Sequence, residues 1–139
     1  MTLLENIREL CRAANPNYRF EFESEKMMNV KADDDRFPCV FFEEYVNGRY
    51  FQRYGWKKSV QVELSFMRLA PFQCDAEDRE HLRERIEREA VIPFIEALNG
   101  SGMFVAVDEF TCMAEPPRFD ANAVSVLVRF WATVDLCAL

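Results

Sequence analysis

The chain has 139 residues with 50% hydrophobic and 14% aromatic side chains, enough for one packed core and short for two, so a single domain spanning residues 1–139 is expected. Four glycines and six prolines exclude a low-complexity or disordered chain. A net charge of −7 and a pI of about 4.8 exclude a protein that binds nucleic acid with its whole surface, because phosphate recognition requires a basic footprint.

The first element is a helix. Leu3, Leu4, Ile7, Leu10, Cys11 and Ala14 recur with the spacing of one helical face, Thr2 and Glu5 form a capping box, and Asn15-Pro16 stops the helix by removing a donor. Tyr18, Phe20 and Phe22 then alternate with Arg19, Glu21 and Glu23, the period of a half-buried strand running toward Val30. The acidic run Asp33-Asp34-Asp35 interrupts it. Neighbouring residues of an extended chain point to different sides and the spacing of a calcium loop is missing, so the run reads as a solvated turn.

Residues 37–46 and 49–69 are expected to pair as a long hairpin around Asn47-Gly48, a dipeptide suited to a tight two-residue turn. Val60, Val62, Leu64 and Phe66 alternate with Ser59, Gln61, Glu63 and Ser65, which gives that half one wet face. Pro71 to Cys74 closes the strand and Asp75 caps a second helix, in which Leu82, Ile86, Ala90, Phe94 and Leu98 recur every four residues beside Val91 and Ile95. Pro93 predicts a kink or break near residues 89–92, and Asn99-Gly100 a left-handed end. Phe104–Met113 is a strand candidate, Pro116-Pro117 a turn, and Ala123–Leu136 a long strand with Val124, Val126, Val128, Phe130, Ala132, Val134 and Leu136 on one side. The order α-β-β-β-α-β-β favours an α+β fold, a mostly antiparallel sheet with two helices on one face.

Chemistry is sparse along this chain. Cys11, Cys39, Cys74, Cys112 and Cys137 sit singly, without a CxxC pair, and read as reduced, mostly buried thiols. The one histidine, His81, lies among Glu77, Glu80 and Glu84 on the charged half of the second helix and reads as a surface residue. Gly100-Ser101-Gly102 is too short for a phosphate loop, and none of the 24 acidic residues shows a spacing that marks a catalytic pair. No catalytic residue, no cofactor and no metal site is expected. The start MTLLENIRELCR lacks the pattern of a secretory signal, and no apolar run reaches about 18 residues, so a cytoplasmic protein without a membrane partner is expected.

The unusual stretch is CVFFEEYVNGRYFQRYGW, residues 39–56, with Tyr45, Tyr50, Phe51, Tyr54 and Trp56 around its Asn-Gly. In the expected hairpin Tyr45 faces Tyr50, Phe41 faces Tyr54 and Cys39 faces Trp56. Eight residues per strand would reach roughly 26 Å, more than a small domain covers on both sides. From Tyr45 to Lys58 the ionisable residues are Arg49, Arg53, Lys57 and Lys58, a balance of +4, whereas the second helix sets seven acidic residues against four arginines. Aromatics and arginine are typical of interfaces, so Tyr45, Arg49, Tyr50, Phe51, Arg53, Tyr54 and Trp56 are candidate self-association residues, with Glu77, Glu80 and Glu84 as the complementary acidic surface. Two alternatives stay open. The aromatics fill the chain's own core, with Gly55 as a parity-changing bulge, or the basic patch Arg49–Lys58 makes the chain a small nucleic-acid-binding or protein-interaction module with aromatic stacking platforms.

The element order, with "FPCVFFEE" feeding the hairpin, the alternating "SVQVELSF", a helix ending "FIEALNG" and the closing "FDANAVSVLVRFWATVDL", resembles the tail-terminator or tail-completion proteins of long-tailed bacteriophages and prophages. That resemblance implies a non-enzymatic structural subunit of the virion, assembled as a homo-oligomeric ring that contacts other tail or head-connector proteins. It implies no tight binding of nucleic acid and no catalytic residues.

Overall fold

A computed structural model of the chain describes residues 2–23, 37–44, 47–70, 75–104, 106–115 and 123–136. Its elements are α1 (Leu3–Ala14), β1 (Arg19–Glu23), β2 (Cys39–Glu43), β3 (Gly48–Gln52), β4 (Trp56–Leu69), a long helix α2, β5 (Ala106–Glu115) and β6 (Ala123–Asp135). The helix α2 consists of Ala76–Ile86 and Ile92–Ser101 joined by a π-helical stretch, Glu87–Val91. The sheet runs β1-β2-β4-β6-β5, with β3 also on β4, and every pair is antiparallel except β1 with β2. The fold is therefore α+β, as the pattern of elements predicts. The Asp33–Asp35 run, the Pro116-Pro117 turn, Tyr45, Cys74 and Cys137 lie outside the described residues.

Local chemistry accounts for the helix ends. Thr2 and Glu5 make both bonds of a capping box, and the Asn15 N–H closes α1 on the Cys11 carbonyl. Asp75 caps α2 in a reciprocal pair with Asp78. The left-handed end of α2 is at Gly102 (φ 64°), two residues beyond the expected Gly100, because the helix continues through Ser101.

Pro93 does not break α2. It has no N–H for the Glu89 carbonyl, and its ring crowds that carbonyl, so the preceding turn widens instead. The widening suits the apolar stripe. Residues four apart advance by about 40° per step around an α-helix, so Leu82, Ile86, Ala90, Phe94 and Leu98 would spiral off the core side. One wide turn takes up that drift, and Ile86, Ala90, Phe94 and Leu98 are all buried.

Both helices pack on one face of the sheet. There Val40, Phe42, Val60, Val62, Leu64, Phe66, Val124, Val126, Val128 and Phe130 meet Ile7, Leu10 and Cys11 of α1 and Phe94 and Leu98 of α2. The Phe94 ring lies 5.9 Å from Phe66 and 6.1 Å from Phe130, tying α2 to β4 and β6. On the opposite face Cys39, Phe41, Met67 and Ala123 form a small second cluster with Phe37.

The expected hairpin around Asn47-Gly48 is not formed. β2 pairs with the far half of β4 (Cys39 with Met67, Phe42 with Leu64), and β3 pairs with its near half (Gly48 with Val60, Gln52 with Trp56). Thus β2 and β3 lie end to end along one edge of β4. The chain reverses at Arg53-Tyr54-Gly55, where Tyr54 (φ 54°) and Gly55 (φ 102°) take left-handed conformations. The predicted strand 49–69 is therefore two strands, and the order is α-β-β-β-β-α-β-β. Gly48 has another role: a Cβ there would stand 3.3 Å from Val60 Cγ1, so the glycine lets β3 close onto β4.

Candidate self-association surface

The three-residue turn places the aromatic residues. Because Gln52 faces Trp56 and Tyr50 faces Lys58, Tyr50, Gln52, Trp56 and Lys58 share the face that carries Val60, the helix side of the sheet. Arg49, Phe51 and Lys57 share the other. Tyr50 is 66% exposed, Trp56 52% and Phe51 36%, and Tyr54 on the turn is 96% exposed. All five residues of β3 are exposed. The aromatics thus crown both faces of a sheet corner. The reading in which Tyr50, Tyr54 and Trp56 fill the core fails.

The projection is shorter than expected. Five residues per strand span roughly 16 Å, and Lys57, Lys58 and Ser59 are held from the other side by Asp135, Val134 and Thr133 of β6. This surface is a buttressed corner rather than a free arm. Its basic charge is also partly spent inside the molecule. Lys57 is buried, with Nζ donating to Asp135 Oδ2 at 3.2 Å and to the Tyr54 carbonyl at 3.3 Å. The Arg49 guanidinium sits over the Trp131 ring at 5.5 Å, and Lys58 Nζ over the Tyr50 ring at 5.7 Å. Arg53, on the turn, is exposed.

Glu77, Glu80 and Glu84 are exposed on the first half of α2, a different element from the corner. Glu77 lies 3.8 Å from His81, and Glu80 pairs with Arg83 at 3.0 Å, so two of the three are engaged along their own helix. The structure brings together Arg49, Tyr50, Phe51, Arg53, Tyr54 and Trp56, and it leaves the glutamates on a separate element.

A second polar cluster escaped the sequence reading. At the far end of β4, Arg68 donates to Glu89 Oε2 at 2.9 Å and, through Nε, to the Tyr18 hydroxyl at 3.0 Å; Arg85 holds the other Glu89 oxygen at 2.7 Å. Burial opposes ionisation of Glu89, but the bonds from Arg85 and Arg68 outweigh it and lower its pKa. Burial raises the Tyr18 pKa against the pull of Arg68. An ionised carboxylate with both oxygens engaged holds the π-helical turn against β4 and Tyr18, and it has no proton to transfer at neutral pH. The only sequence signal was a tyrosine at the start of a strand.

Among the described residues no group of three His, Cys, Asp or Glu side chains is arranged to hold a metal ion, and no helix is long and apolar enough to cross a membrane. Burial drives the Cys11 thiol pKa far up, so this cysteine is a packing residue, whereas Cys112 is exposed. No protein-family model matches the chain, and no curated protein matches it.

Proposed function

We propose that this chain is a non-enzymatic assembly subunit of a phage or phage-like tail that associates with copies of itself through the β3–β4 corner and takes its place against other tail or head-connector proteins. The observation that carries the self-association reading is the corner itself. Tyr50, Phe51, Tyr54 and Trp56 are exposed on the two faces and the turn of one short hairpin, leaving four large aromatic side chains of a single corner in water. Large aromatics beside arginine are the composition of a protein interface core. The tail assignment rests on the resemblance of the sequence segments, although the long hairpin among them is replaced by two strands end to end on β4, and on the α+β sheet with two helices on one face, which is compatible with it. A ring of copies needs a head-to-tail contact, for which the exposed Glu77, Glu80 and Glu84 offer an acidic counterpart to the basic corner.

Size-exclusion chromatography with light scattering, on the native chain and on a Tyr50→Ala, Phe51→Ala, Tyr54→Ala variant, tests the association. The native chain is expected to run as a multiple of 16.4 kDa and the variant to fall to a single copy. A native mass of one copy at high concentration, unchanged by the substitutions, overturns it. Gene neighbourhood tests the tail assignment separately: flanking portal, tail-tube or tape-measure genes support it, and an operon of unrelated metabolic genes removes its basis.

A further inference from the structure

The backbone of β3 carries information that its side chains do not. In the antiparallel pairing of β3 with β4, the Gln61 N–H donates to the Asn47 carbonyl, and at the turn the Arg53 N–H donates to the Gly55 carbonyl. Both bonds join odd-numbered residues across the same register. In an antiparallel ladder hydrogen-bonded and non-bonded pairs alternate, so Arg49 with Ser59 and Phe51 with Lys57 are the bonded pairs. The N–H and C=O groups of Gly48, Tyr50 and Gln52 therefore point away from β4, along the open edge of the sheet. Among the described residues none forms a hydrogen bond to them.

The sheet's other described edges are guarded. β5 carries a register shift between Asp108 and Thr111 with Glu109 in a left-handed conformation (φ 59°), and β1 carries Arg19 and Glu21 in alternation with its phenylalanines. β3 has neither bulge nor proline, and its one charge, Arg49, leans inward over Trp131. A short, regular, unguarded edge is a template for strand addition.

We propose that β3 pairs with β3 of a second copy of this chain, antiparallel, about a two-fold axis at Tyr50. This rests on the self-association reading and specifies its contact. The register is fixed by counting. With Tyr50 opposite Tyr50 and Gly48 opposite Gln52, every outward N–H and C=O of both strands finds a partner, whereas a shift by two residues leaves some of them unpaired. The side chains fit the same register. On one face the two Tyr50 rings meet, each flanked on its outer side by its own Lys58, with Trp56 one pair further along beside Gln52; on the other, Arg49 of each copy faces Phe51 of its mate, so no like charges stand directly opposite. Continued past the axis, the register sets the exposed Arg53 of one copy beside Asn47 of the other, three residues from the exposed carboxylate of Glu44. The product is one sheet running β5-β6-β4-β3 and, across the axis, β3-β4-β6-β5. Such a contact closes at two copies, so the chain on its own is expected as a pair, and it takes the place of the head-to-tail contact between the corner and Glu77, Glu80 and Glu84.

The test is disulfide trapping. Residues facing each other in a hydrogen-bonded antiparallel pair have Cα atoms about 5.5 Å apart, within the range a disulfide spans. In a chain with exposed Cys112 replaced by Ser, Tyr50→Cys is expected to form a covalent pair under mild oxidation on a non-reducing gel, while Arg49→Cys, which faces residue 51, is not. A Tyr50→Pro variant is the second arm. It removes an outward N–H and leaves the ladder to β4 intact, so light scattering should show a single copy with a thermal midpoint near that of the native chain. If the native chain is multimeric but Tyr50→Cys crosslinks no better than Arg49→Cys, or if Tyr50→Pro keeps the native mass, the β3 pairing is wrong while self-association through another surface stands. A native mass of one copy removes both.

Discussion

The two ends of β4 invite comparison. At the Leu69 end, Arg68 is held by Tyr18 and Glu89, Met67 is buried, and α1, α2 and β1 all converge on the strand or its neighbours. At the Trp56 end, among the described residues, β6 pairs with the strand on one side and β3 on the other, and Tyr50, Phe51 and Trp56 are exposed. Aromatic and β-branched residues favour strands at either end; whether they become core depends on what another element lays over them. The first end is built to hold this chain together, and the second is free to hold something else.

That contrast predicts a division of mutational effects. Phe94→Ala, at the centre of the helix-to-sheet packing, should destabilise the fold by about 3–5 kcal/mol in a urea titration. The triple alanine variant of the corner should cost clearly less, about 1–2 kcal/mol, since Tyr50 and Tyr54 bury little in a single copy and only Phe51 is mostly covered. A comparable loss at both places would erase the distinction between the ends.

The polar latch at the Leu69 end sharpens it further. Arg68→Ala should cost about 1 kcal/mol, a screened value because Arg68 and Glu89 are both partly open to water. Its clearer signature is in pH. Glu89 has a lowered pKa in the folded chain, so its contribution is present above the unfolded carboxylate value of about 4.3 and is lost as pH falls through the folded value. Asp75, lowered chiefly by the backbone N–H of Asp78, acts in the same direction. Native stability should fall as pH drops below the unfolded carboxylate value of about 4.3, and less steeply in Arg68→Ala; parallel profiles would mean that Arg68 does not hold the Glu89 proton off.

The smallest effect belongs to the turn. Tyr54 occupies a left-handed conformation that disfavours side chains other than Asn, Asp and Gly, so Tyr54→Asn should stabilise the folded chain by roughly 0.5–1 kcal/mol in urea. The same change should weaken self-association, separating the two properties at one residue. If it lowers stability instead, the tyrosine serves the fold.

What the sequence disclosed follows from where the determining contacts are. Thr2, Glu5, Asp75 and the alternation of β6 act within a few residues, and those elements are legible. The corner was legible as a composition, since the aromatics and arginines of residues 49–56 do come together, but its pairing was not. Asn47-Gly48 carries the stronger local turn signal, and it yields because Gly48 is needed flat against Val60 while a tyrosine bends the chain at residue 54. Tyr-Gly between two strand-like runs was a weaker signal of the true turn. The parallel pairing of β1 with β2 has no local signature at all. Neither does the latch, whose members Tyr18, Arg68 and Glu89 lie far apart in the chain.

The Asn15 side chain, just past the end of α1, donates through Nδ2 to the Ala90 carbonyl at 2.8 Å, within the π-helical turn of α2 and 75 residues away. A helix carries most of its hydrogen bonds within itself, but this turn also receives one from outside. The shape of α2 is therefore a matter of timing. Its widened turn is complete only once the first helix has docked, so the two should appear late and together in refolding, and their protected amide protons should exchange together. The first twelve-residue helix is thus a template for the geometry of the second as well as a layer packed beside it.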